Sequence, residues 1–346
     1  MKNTIWINNN WYDLQKSVAK LQENLPLWER DIFSFLVEWF TEGDFIYVQT
    51  SGSTGTPKTI KKEKSTLRNS ALMTGDFFSF KENQIALLCL PVKYIAGKMM
   101  LVRAIEWGLK LDSIEPKIKL NIPSKNYHFS AMTPQQVSAS INTVSNISNL
   151  IIGGAPISIP LEKQLLDLPI NCYATYGMTE TVSHIALRKI TENNNHYQVL
   201  SGIEINIDSR TCLTINAPKL SVSIIKTNDI VTLNSANSFT WLGRFDNVIN
   251  SGGVKISPEI IENKISKLIP NHFFITGIPD DKWGESVVLI IEGNPIDSKK
   301  LQKSIDAVLN KVETPKSIHF LPTFIRTENG KLNRKKTLNS FITNHS

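Results

Sequence analysis

The stretch Thr50-Ser-Gly-Ser-Thr-Gly-Thr-Pro-Lys-Thr-Ile60 is the most informative part of this 346-residue chain. It follows Phe45–Gln49, a run of mainly β-branched and aromatic residues that predicts a strand. Gly52 and Gly55 permit tight turns that can aim consecutive backbone N–H groups at one anion. The side chains that add donors or positive charge are Ser51, Ser53, Thr54, Thr56 and Lys58. The stretch therefore predicts a loop that binds a polyphosphate.

A Walker A loop is the first alternative, and Pro57 argues against it. That motif needs glycine directly before its lysine, whereas Pro57 precedes Lys58 here, and proline has no N–H to offer a phosphate. The spelling Ser-Gly-Ser-Thr-Gly-x-Pro-Lys instead resembles the phosphate loop of the adenylate-forming enzymes, the acyl-CoA synthetase superfamily. A flexible Gly/Ser segment is the other alternative, which an ordered run directly after a strand disfavours.

The composition is that of an ordinary globular protein with a mildly basic surface. The chain is 41% hydrophobic and 20% charged, with a formal net charge of +7. Its lysines are dispersed and form no long basic block with aromatics, so nucleic-acid binding is not indicated. The three cysteines lack C-x-x-C spacing, which favours reduced, buried thiols. No apolar signal core or membrane-length apolar run is present, and we expect a cytoplasmic protein. The oligomeric state stays open.

Two successive patterns predict two domains. Helical and strand-like segments alternate at first, which predicts an α/β fold with a mostly parallel sheet; helical spacing is also present within 11–40. Short alternating strands after Tyr197 predict a β-rich subdomain. A new α+β pattern follows Arg244. We therefore predict an N-terminal domain, 1–245, and a small mobile C-terminal domain, 246–346.

A second motif, Tyr173-Ala-Thr-Tyr-Gly-Met-Thr-Glu180, ends a predicted strand and opens a loop. Tyr176 offers an aromatic face for a nucleobase, and Gly177 permits close backbone approach. Thr179 offers a hydroxyl to a phosphate, and Glu180 is a hard oxygen ligand suited to Mg²⁺. The pattern Tyr-Gly-x-Thr-Glu matches the adenylate-forming family at each fixed position.

A glycine pair follows the strand-like Ile151 and Ile152. By itself this segment predicts a simple turn between a strand and a helix. The family resemblance implies that Gly153, Gly154 and Ala155 contact the adenine.

The resemblance also implies roles for later segments. Asp229 could accept hydrogen bonds from both ribose hydroxyls, although a turn-forming Asn-Asp pair at a strand start is the alternative. The family's Gly-Arg-x-Asp segment falls on Arg244, a ribose contact, and on Asp246, the hinge of a domain rotation. Gly252 and Gly253 match the glycine loop that closes beside the pantetheine arm of coenzyme A.

The last motif lies near the C-terminus. Asn329-Gly330 predicts a tight exposed turn that carries Lys331 outward. Gly330, Lys331 and Arg334 meet the setting Gly-Lys-x-x-Arg of the family's catalytic lysine. A solvated basic tail is the alternative for this segment alone.

The acid substrate is suggested by the segment Leu90–Arg103, which resembles that of the 2-succinylbenzoate–CoA ligases of menaquinone biosynthesis. Tyr94 stands where their Leu-Pro-x-x-His-x-x-Gly pattern has histidine. Because that substrate keeps a second carboxylate, Lys98 and Arg103 are candidates to bind it; a solvated helix face is the alternative. His184 is interpreted as an ordinary loop or core histidine.

The resemblance as a whole implies a ligase that uses ATP, Mg²⁺, coenzyme A and a small carboxylic acid. Lys331, Thr179 and Glu180 would serve catalysis. Three hypotheses stay open: a 2-succinylbenzoate–CoA ligase, a ligase that adenylates another aryl or alkyl acid for coenzyme A or a carrier protein, and a nucleotide-binding protein without catalysis. Intact Lys58, Glu180, Arg244 and Lys331 favour an enzyme.

Overall fold

The computed structural model describes residues 4–13, 25–41, 43–49, 59–326 and 332–345. The helices are α1 (Leu27–Phe40), α2 (Lys64–Phe78), α3 (Ile95–Trp107), α4 (Pro134–Ala139), α5 (Ile159–Leu166), α6 (Pro258–Ile265), α7 (Ser298–Asp306) and α8 (Arg334–His345). The strands up to residue 244 are β1 (Thr4–Ile7), β2 (Asn10–Asp13), β3 (Phe45–Gln49), β4 (Thr59–Glu63), β5 (Ile85–Leu88), β6 (Lys110–Ser113), β7 (Tyr127–Met132), β8 (Ile147–Ile152), β9 (Asn171–Gly177), β10 (His184–Lys189), β11 (His196–Val199), β12 (Glu204–Ile207), β13 (Cys212–Ala217), β14 (Val222–Ser235) and β15 (Ser238–Arg244). The later strands are β16 (Ile249–Ser251), β17 (Val254–Ile256), β18 (Phe273–Asp280), β19 (Gly284–Glu292) and β20 (Ser317–Leu321).

A mixed 13-stranded sheet forms the large part of the molecule. Its order is β12-β13-β14-β15-β11-β10-β9-β8-β7-β5-β6-β1-β2. The pairs from β1 through β6, β5, β7 and β8 to β9 are parallel, because helices or long loops connect these strands. Short turns join most of the strands from β9 onward, and these pair antiparallel. The predicted α/β fold is confirmed, and the predicted β-rich part continues the same sheet.

One strand replaces two predicted ones in this region. The sequence predicted two strands, Val222–Lys226 and Ile230–Leu233, on either side of a break around Asn228, but β14 runs from Val222 to Ser235. The Thr227 hydroxyl donates to the Leu213 carbonyl at 2.8 Å and accepts from the Asp229 N–H at 3.1 Å. A register shift between Ile230 and Val231 absorbs the irregularity. Asp229 therefore lies within a strand and not at its start.

The N-terminal pattern was only partly right. Helical spacing was expected from residue 11, but Trp11 lies in β2, which pairs antiparallel with β1 and places Trp11 edge-on to Trp6, with ring centroids 5.3 Å apart. The predicted helical residues Leu14, Val18 and Leu21 lie outside the described residues. The later part of the pattern forms α1, whose buried face is Ile32, Phe33, Phe35, Leu36 and Trp39.

A separate small sheet follows residue 248, with the order β17-β16-β19-β18 and β20 parallel to β19. Its own core includes Ile261 of α6, Leu289 of β19 and Ile305 of α7. Strands β3 and β4 form a third, two-stranded antiparallel sheet. No helix in the described part of the chain is long and apolar enough to cross a membrane.

Candidate active site

Two predicted nucleotide-binding segments lie at one edge of the large sheet. Strands β8 and β9 are parallel neighbours, so their carboxyl ends meet at the same edge, where ligands of such sheets bind. Gly153 directly follows β8, and its N–H donates to the Met132 carbonyl at 3.0 Å. A Cβ there would lie 2.2 Å from the Thr175 hydroxyl oxygen, so only glycine fits. Gly154 and Ala155 continue this turn.

The loop after β9 is folded back on itself. The buried Thr181 hydroxyl accepts from the Met178 N–H at 3.0 Å and donates to the Ser183 carbonyl at 2.8 Å. A Cβ on Gly177 would lie 2.4 Å from that same carbonyl oxygen. The close approach therefore requires glycine at position 177. We call residues 178–183 the Thr-Glu loop.

The Thr-Glu loop presents its two predicted site residues outward. Thr179 is half-buried and Glu180 is exposed. Lys62 of β4 holds the loop from the side: its Nζ donates to the Glu180 backbone carbonyl at 3.2 Å. Burial lowers the pKa of Lys62, and the Glu180 carboxylate partly opposes this. Sequence reasoning missed Lys62, although its place four residues after Lys58 was a weak signal.

A divalent metal would find one carboxylate here. Among the described residues, no group of three or more His, Cys, Asp or Glu side chains could hold a metal ion. Mg²⁺ suits such a site, because it commonly takes one or two protein carboxylates and completes its shell with substrate phosphates and water. The exposed Glu180 carboxylate therefore fits this ion.

The buried Asp229 is the centre of a hydrogen-bond cluster that reaches the surface at Arg244. Its Oδ2 accepts from the Tyr176 hydroxyl at 2.7 Å, and its Oδ1 accepts from Trp241 Nε1 at 3.1 Å and Arg244 Nη1 at 3.5 Å. Burial and the Asp229 carboxylate raise the pKa of Tyr176, which keeps its hydroxyl protonated as the donor. The structure thus brings together three predicted nucleotide residues, on β9, β14 and β15. No role was predicted for Trp241.

The same cluster reaches the predicted hinge. Arg244 Nη2 donates to Asp246 Oδ2 at 2.8 Å, so one guanidinium bridges Asp229 and Asp246. Asn228 Nδ2 donates to Asp246 Oδ1 at 2.9 Å. Burial disfavours the Arg244 cation, but Asp246 and Asp229 outweigh it and raise the pKa of Arg244. Asn228 was interpreted only as part of a turn. Its contact with Asp246 could not be predicted from the neighbouring sequence, because the two residues lie 18 positions apart.

The glycine pair assigned to coenzyme A lies in the turn between β16 and β17. Gly252 and Gly253 have φ values of 58° and 81°, which favour glycine. The Gly252 N–H donates to the Trp283 carbonyl at 2.8 Å. In the part of the chain that the structure describes, no hydrogen bond joins these glycines to Asp229 or Tyr176.

The two candidate acid-binding residues are both buried. Lys98 Nζ lies 3.6 Å from Glu38 Oε2 and 4.5 Å from the centroid of the Phe35 ring. Arg103 is only 2% exposed, and its Nη2 donates to the Ser183 hydroxyl at 3.1 Å. The alternative of a solvated helix face is therefore wrong, because α3 is buried on every side from residue 97 to 104.

Arg103 is a buried cation whose donors are incompletely used. Its Nε has no hydrogen-bond partner among the described residues, and its recorded partners there are the Ser183 hydroxyl and the Met100 sulfur. Burial lowers the pKa of Arg103 to about 9, which leaves the side chain charged at neutral pH.

Part of the predicted site lies outside the described residues, but its flanks are described. The predicted residues concerned are Ser51, Gly52, Ser53, Thr54, Gly55, Thr56, Lys58 and Lys331. Gln49 and Thr59 pair across β3 and β4. Arg326 and Leu332 form an antiparallel bridge. Both guanidinium nitrogens Nη1 and Nη2 of Arg334 donate to Glu262, at 2.7 and 2.6 Å.

A large mixed sheet followed by a small C-terminal sheet is the architecture of an adenylate-forming enzyme. The chain belongs to the AMP-binding enzyme family, whose model matches residues 9–208. The fold is that of AMP-forming acid–thiol ligases.

Three relatives illustrate the range of this similarity. A crystal structure of an acyl-CoA synthetase (AMP-forming)/AMP-acid ligase II-like protein from Dyadobacter fermentans is 35% identical, with a TM-score of 0.63, over 93% of this chain and 97% of that one. A 2-succinylbenzoate–CoA ligase of Haemophilus influenzae is 26% identical over 90% of this chain and 74% of its own length. The O-succinylbenzoate coenzyme A synthetase of Bacillus subtilis, solved with ATP and magnesium, is 20% identical with a TM-score of 0.73, over 84% of this chain and 69% of that chain. At that identity the last likeness shows the fold alone.

Proposed function

We propose that this chain is an ATP-dependent acid–CoA ligase, which activates a carboxylate as acyl-AMP and transfers the acyl group to coenzyme A. The observation that carries the proposal is the cluster of Tyr176, Asp229 and Arg244. It combines an aromatic ring, a carboxylate and a cation next to Asp246, the predicted hinge between two sheets. Those groups suit a nucleoside held where one sheet can move against the other.

Each predicted segment has a place in this proposal. Asp229 and Arg244 would bind the ribose, and Tyr176 would offer its ring to the adenine. The remaining nucleotide contacts would be Gly153, Gly154, Ala155 and Gly177 at the adenine and Ser51, Gly52, Ser53, Thr54, Gly55, Thr56 and Lys58 at the β- and γ-phosphates.

In the first step a carboxylate oxygen of the acid attacks the α-phosphorus of ATP. The bond from that phosphorus to the oxygen bridging to the β-phosphate breaks, and pyrophosphate leaves. Two anions must meet, so Lys331 would neutralise charge on both, and Thr179 would donate to a phosphate oxygen. Glu180 would hold Mg²⁺, which when bound offsets the phosphate charge.

In the second step the thiolate sulfur of coenzyme A attacks the acyl carbon, the carbon–oxygen bond to AMP breaks, and AMP leaves. We propose that residues 246–346 rotate about Asp246 between the two steps, as the mobile domain of a two-domain enzyme. Lys331 would then leave the site and Gly252 and Gly253 would enter it. The rotation would have to break the contacts of Asp246 with Asn228 and Arg244.

We propose 2-succinylbenzoate as the acid, and Arg103 supports this choice. Among the described residues no carboxylate pairs with Arg103. A buried cation without a counter-ion is unfavourable, and the second carboxylate of a dicarboxylic acid would supply one. Lys98 is the weaker candidate, because its ammonium already lies beside Glu38. Two curated relatives, 24% and 26% identical to this chain, are named for the same substrate.

The experiment is mass spectrometry of one reaction that contains the protein, ATP, Mg²⁺, coenzyme A and a mixture of 2-succinylbenzoate, benzoate and medium-chain fatty acids. A succinylbenzoyl-CoA thioester with AMP supports class and substrate. AMP with another thioester keeps the ligase and rejects this acid. The absence of AMP with every acid counts against the ligase.

A pair of variants sharpens the substrate test. Arg103→Met should lower kcat/KM for 2-succinylbenzoate at least tenfold more than it does for an accepted monocarboxylic acid. Lys98→Met on the same helix is the matched control, and we expect no such discrimination from it.

A further inference from the structure

A continuous hydrogen-bond chain connects Arg103 to helix α2 through a histidine. Arg103 Nη2 donates to the Ser183 hydroxyl at 3.1 Å, and that oxygen lies 3.4 Å from His184 Nδ1. On the other side of the ring, His184 Nε2 lies 3.3 Å from the Thr74 hydroxyl, which donates to the Ser70 carbonyl at 3.0 Å. All five residues except Ser183 are nearly inaccessible to solvent.

The two ends of this chain fix the direction of every bond in it. A guanidinium can only donate, and a carbonyl can only accept. Because Thr74 gives its proton to the Ser70 carbonyl, it must accept from His184 Nε2. Because Ser183 accepts from Arg103, its own proton is free to point at His184 Nδ1. In a neutral imidazole this places the proton on Nε2 and leaves Nδ1 to accept from the Ser183 hydroxyl.

The setting agrees with a neutral ring. His184 is 6% exposed, and the charged Arg103 faces it. Burial, and then the charge of Arg103, lower the pKa of His184 well below its ordinary value. A protonated ring would also make both nitrogens donors, and Ser183 would have to accept from two cations at once.

We propose that His184 is a positioning residue for the acid substrate: as the neutral Nε2–H tautomer it orients the Ser183 hydroxyl, which in turn holds the Arg103 guanidinium. The Arg103 Nε–H, which has no partner among the described residues, is then left for a carboxylate. The inference rests on the proposed ligase function for its role but not for its chemistry. The ring carries no proton in the reaction and need not touch ATP. Its effect is on which acid binds.

The first test reads the tautomer directly. The protein is labelled with ¹⁵N-histidine, and two-bond ¹H–¹⁵N correlation spectra are recorded at neutral pH without substrate. The chain has six histidines, so the spectrum of His184→Gln assigns the signal. We expect one proton on Nε2 and an unprotonated Nδ1. A proton on Nδ1, or an imidazolium, would overturn the proposal.

The second test compares two acids with three variants. The acids are 2-succinylbenzoate and its ester, in which the carboxylate that is not activated carries a methyl group. We expect His184→Leu to raise the KM for the dicarboxylic acid about tenfold, and to change the KM for the ester and kcat for either acid much less. His184→Gln, which keeps one donor and one acceptor, should recover most of the loss. His196→Gln is the matched control, because His196 also pairs with a threonine, at 2.9 Å, but is exposed.

The outcomes separate this inference from the proposed function. Equal losses for both acids in a folded His184→Leu protein would mean a merely structural histidine and would refute the inference. If that variant does not fold, His184→Gln and the tautomer still decide. Failure of the wild-type protein to adenylate any acid would instead reject the ligase, and the tautomer assignment would be judged by the spectra alone.

Discussion

Replacing Arg334 by methionine should loosen the end of the chain that carries Lys331. Arg334 begins α8, and its guanidinium makes two parallel hydrogen bonds to Glu262 of α6, at 2.7 and 2.6 Å. It also donates to the Ile275 carbonyl at 3.3 Å. The side chains are 28% and 16% exposed, so the pair lies between the buried and the exposed cases.

That position sets the expected magnitude. Loss of one partner from a fully buried pair costs about 3–5 kcal/mol, and an exposed pair contributes about 0.2–1 kcal/mol. We therefore expect Arg334→Met to cost about 2 kcal/mol, which corresponds to roughly thirtyfold more opening of this region. Adenylation should fall with it, because Lys331 lies three residues away, whereas ATP affinity should change little.

Hydrogen exchange read by mass spectrometry on peptides from α6 and α8 measures the opening, and acid-dependent AMP formation measures the activity. Lys264→Met on α6 is the matched control. Its ammonium pairs with Glu313 at 2.7 Å, but it is 41% exposed, so we expect about 1 kcal/mol or less and normal adenylation. Unchanged exchange and unchanged AMP formation in Arg334→Met would refute the reasoning.

Three further predictions concern the other contacts. Tyr176→Phe removes the 2.7 Å bond to Asp229 and should weaken ATP binding about tenfold, or ~1.4 kcal/mol; calorimetry that shows unchanged affinity would contradict the assigned cluster. Asn228→Ala removes the contact with Asp246 and should speed thioester formation relative to adenylation in single-turnover experiments, because the proposed hinge is released. An unchanged ratio of the two rates would refute the idea that Asn228 restrains the rotation. The lowered pKa of His184 means that the unfolded chain binds a proton that the folded chain does not, so stability should fall as pH drops below about 6.5, by at most ~1.4 kcal/mol per unit. The stability of His184→Gln, measured by denaturant titration at several pH values, should lack this part of the pH dependence. An identical pH dependence in the wild-type protein and the variant would exclude the effect.

The features that could be predicted are those that a short stretch of chain determines. The Tyr-Gly-x-Thr-Glu motif requires Gly177 because the loop returns to touch it, and the alternation of helices and strands identified the α/β fold. The glycine pair after β8 was correctly predicted to follow a strand, because the strand-like Ile151 and Ile152 directly precede it.

The features that could not be predicted depend on packing between distant segments. The spacing in α3 indicated a helix, but only α2 and the large sheet decide that Arg103 is buried. Lys62 reaches the Thr-Glu loop across 118 positions of sequence. His184 was interpreted as an ordinary histidine, because its hydrogen-bond partner Thr74 lies on a distant helix and could not be predicted. The prediction of two strands in place of β14 was wrong, because the Thr227 side chain bonds to the neighbouring backbone and strand pairing continues where a turn was expected.

The central claim, that this chain adenylates a carboxylic acid, is tested most directly by exchange of labelled pyrophosphate into ATP. The reaction contains the purified protein, ATP, Mg²⁺ and 2-succinylbenzoate, without coenzyme A, and is repeated with Lys331→Ala. The account predicts exchange that requires the acid and that is lost in Lys331→Ala, while this variant still binds ATP. Exchange at the wild-type rate in Lys331→Ala would contradict the role of Lys331, and the absence of exchange in the wild-type protein with every acid of the panel would contradict the adenylating function.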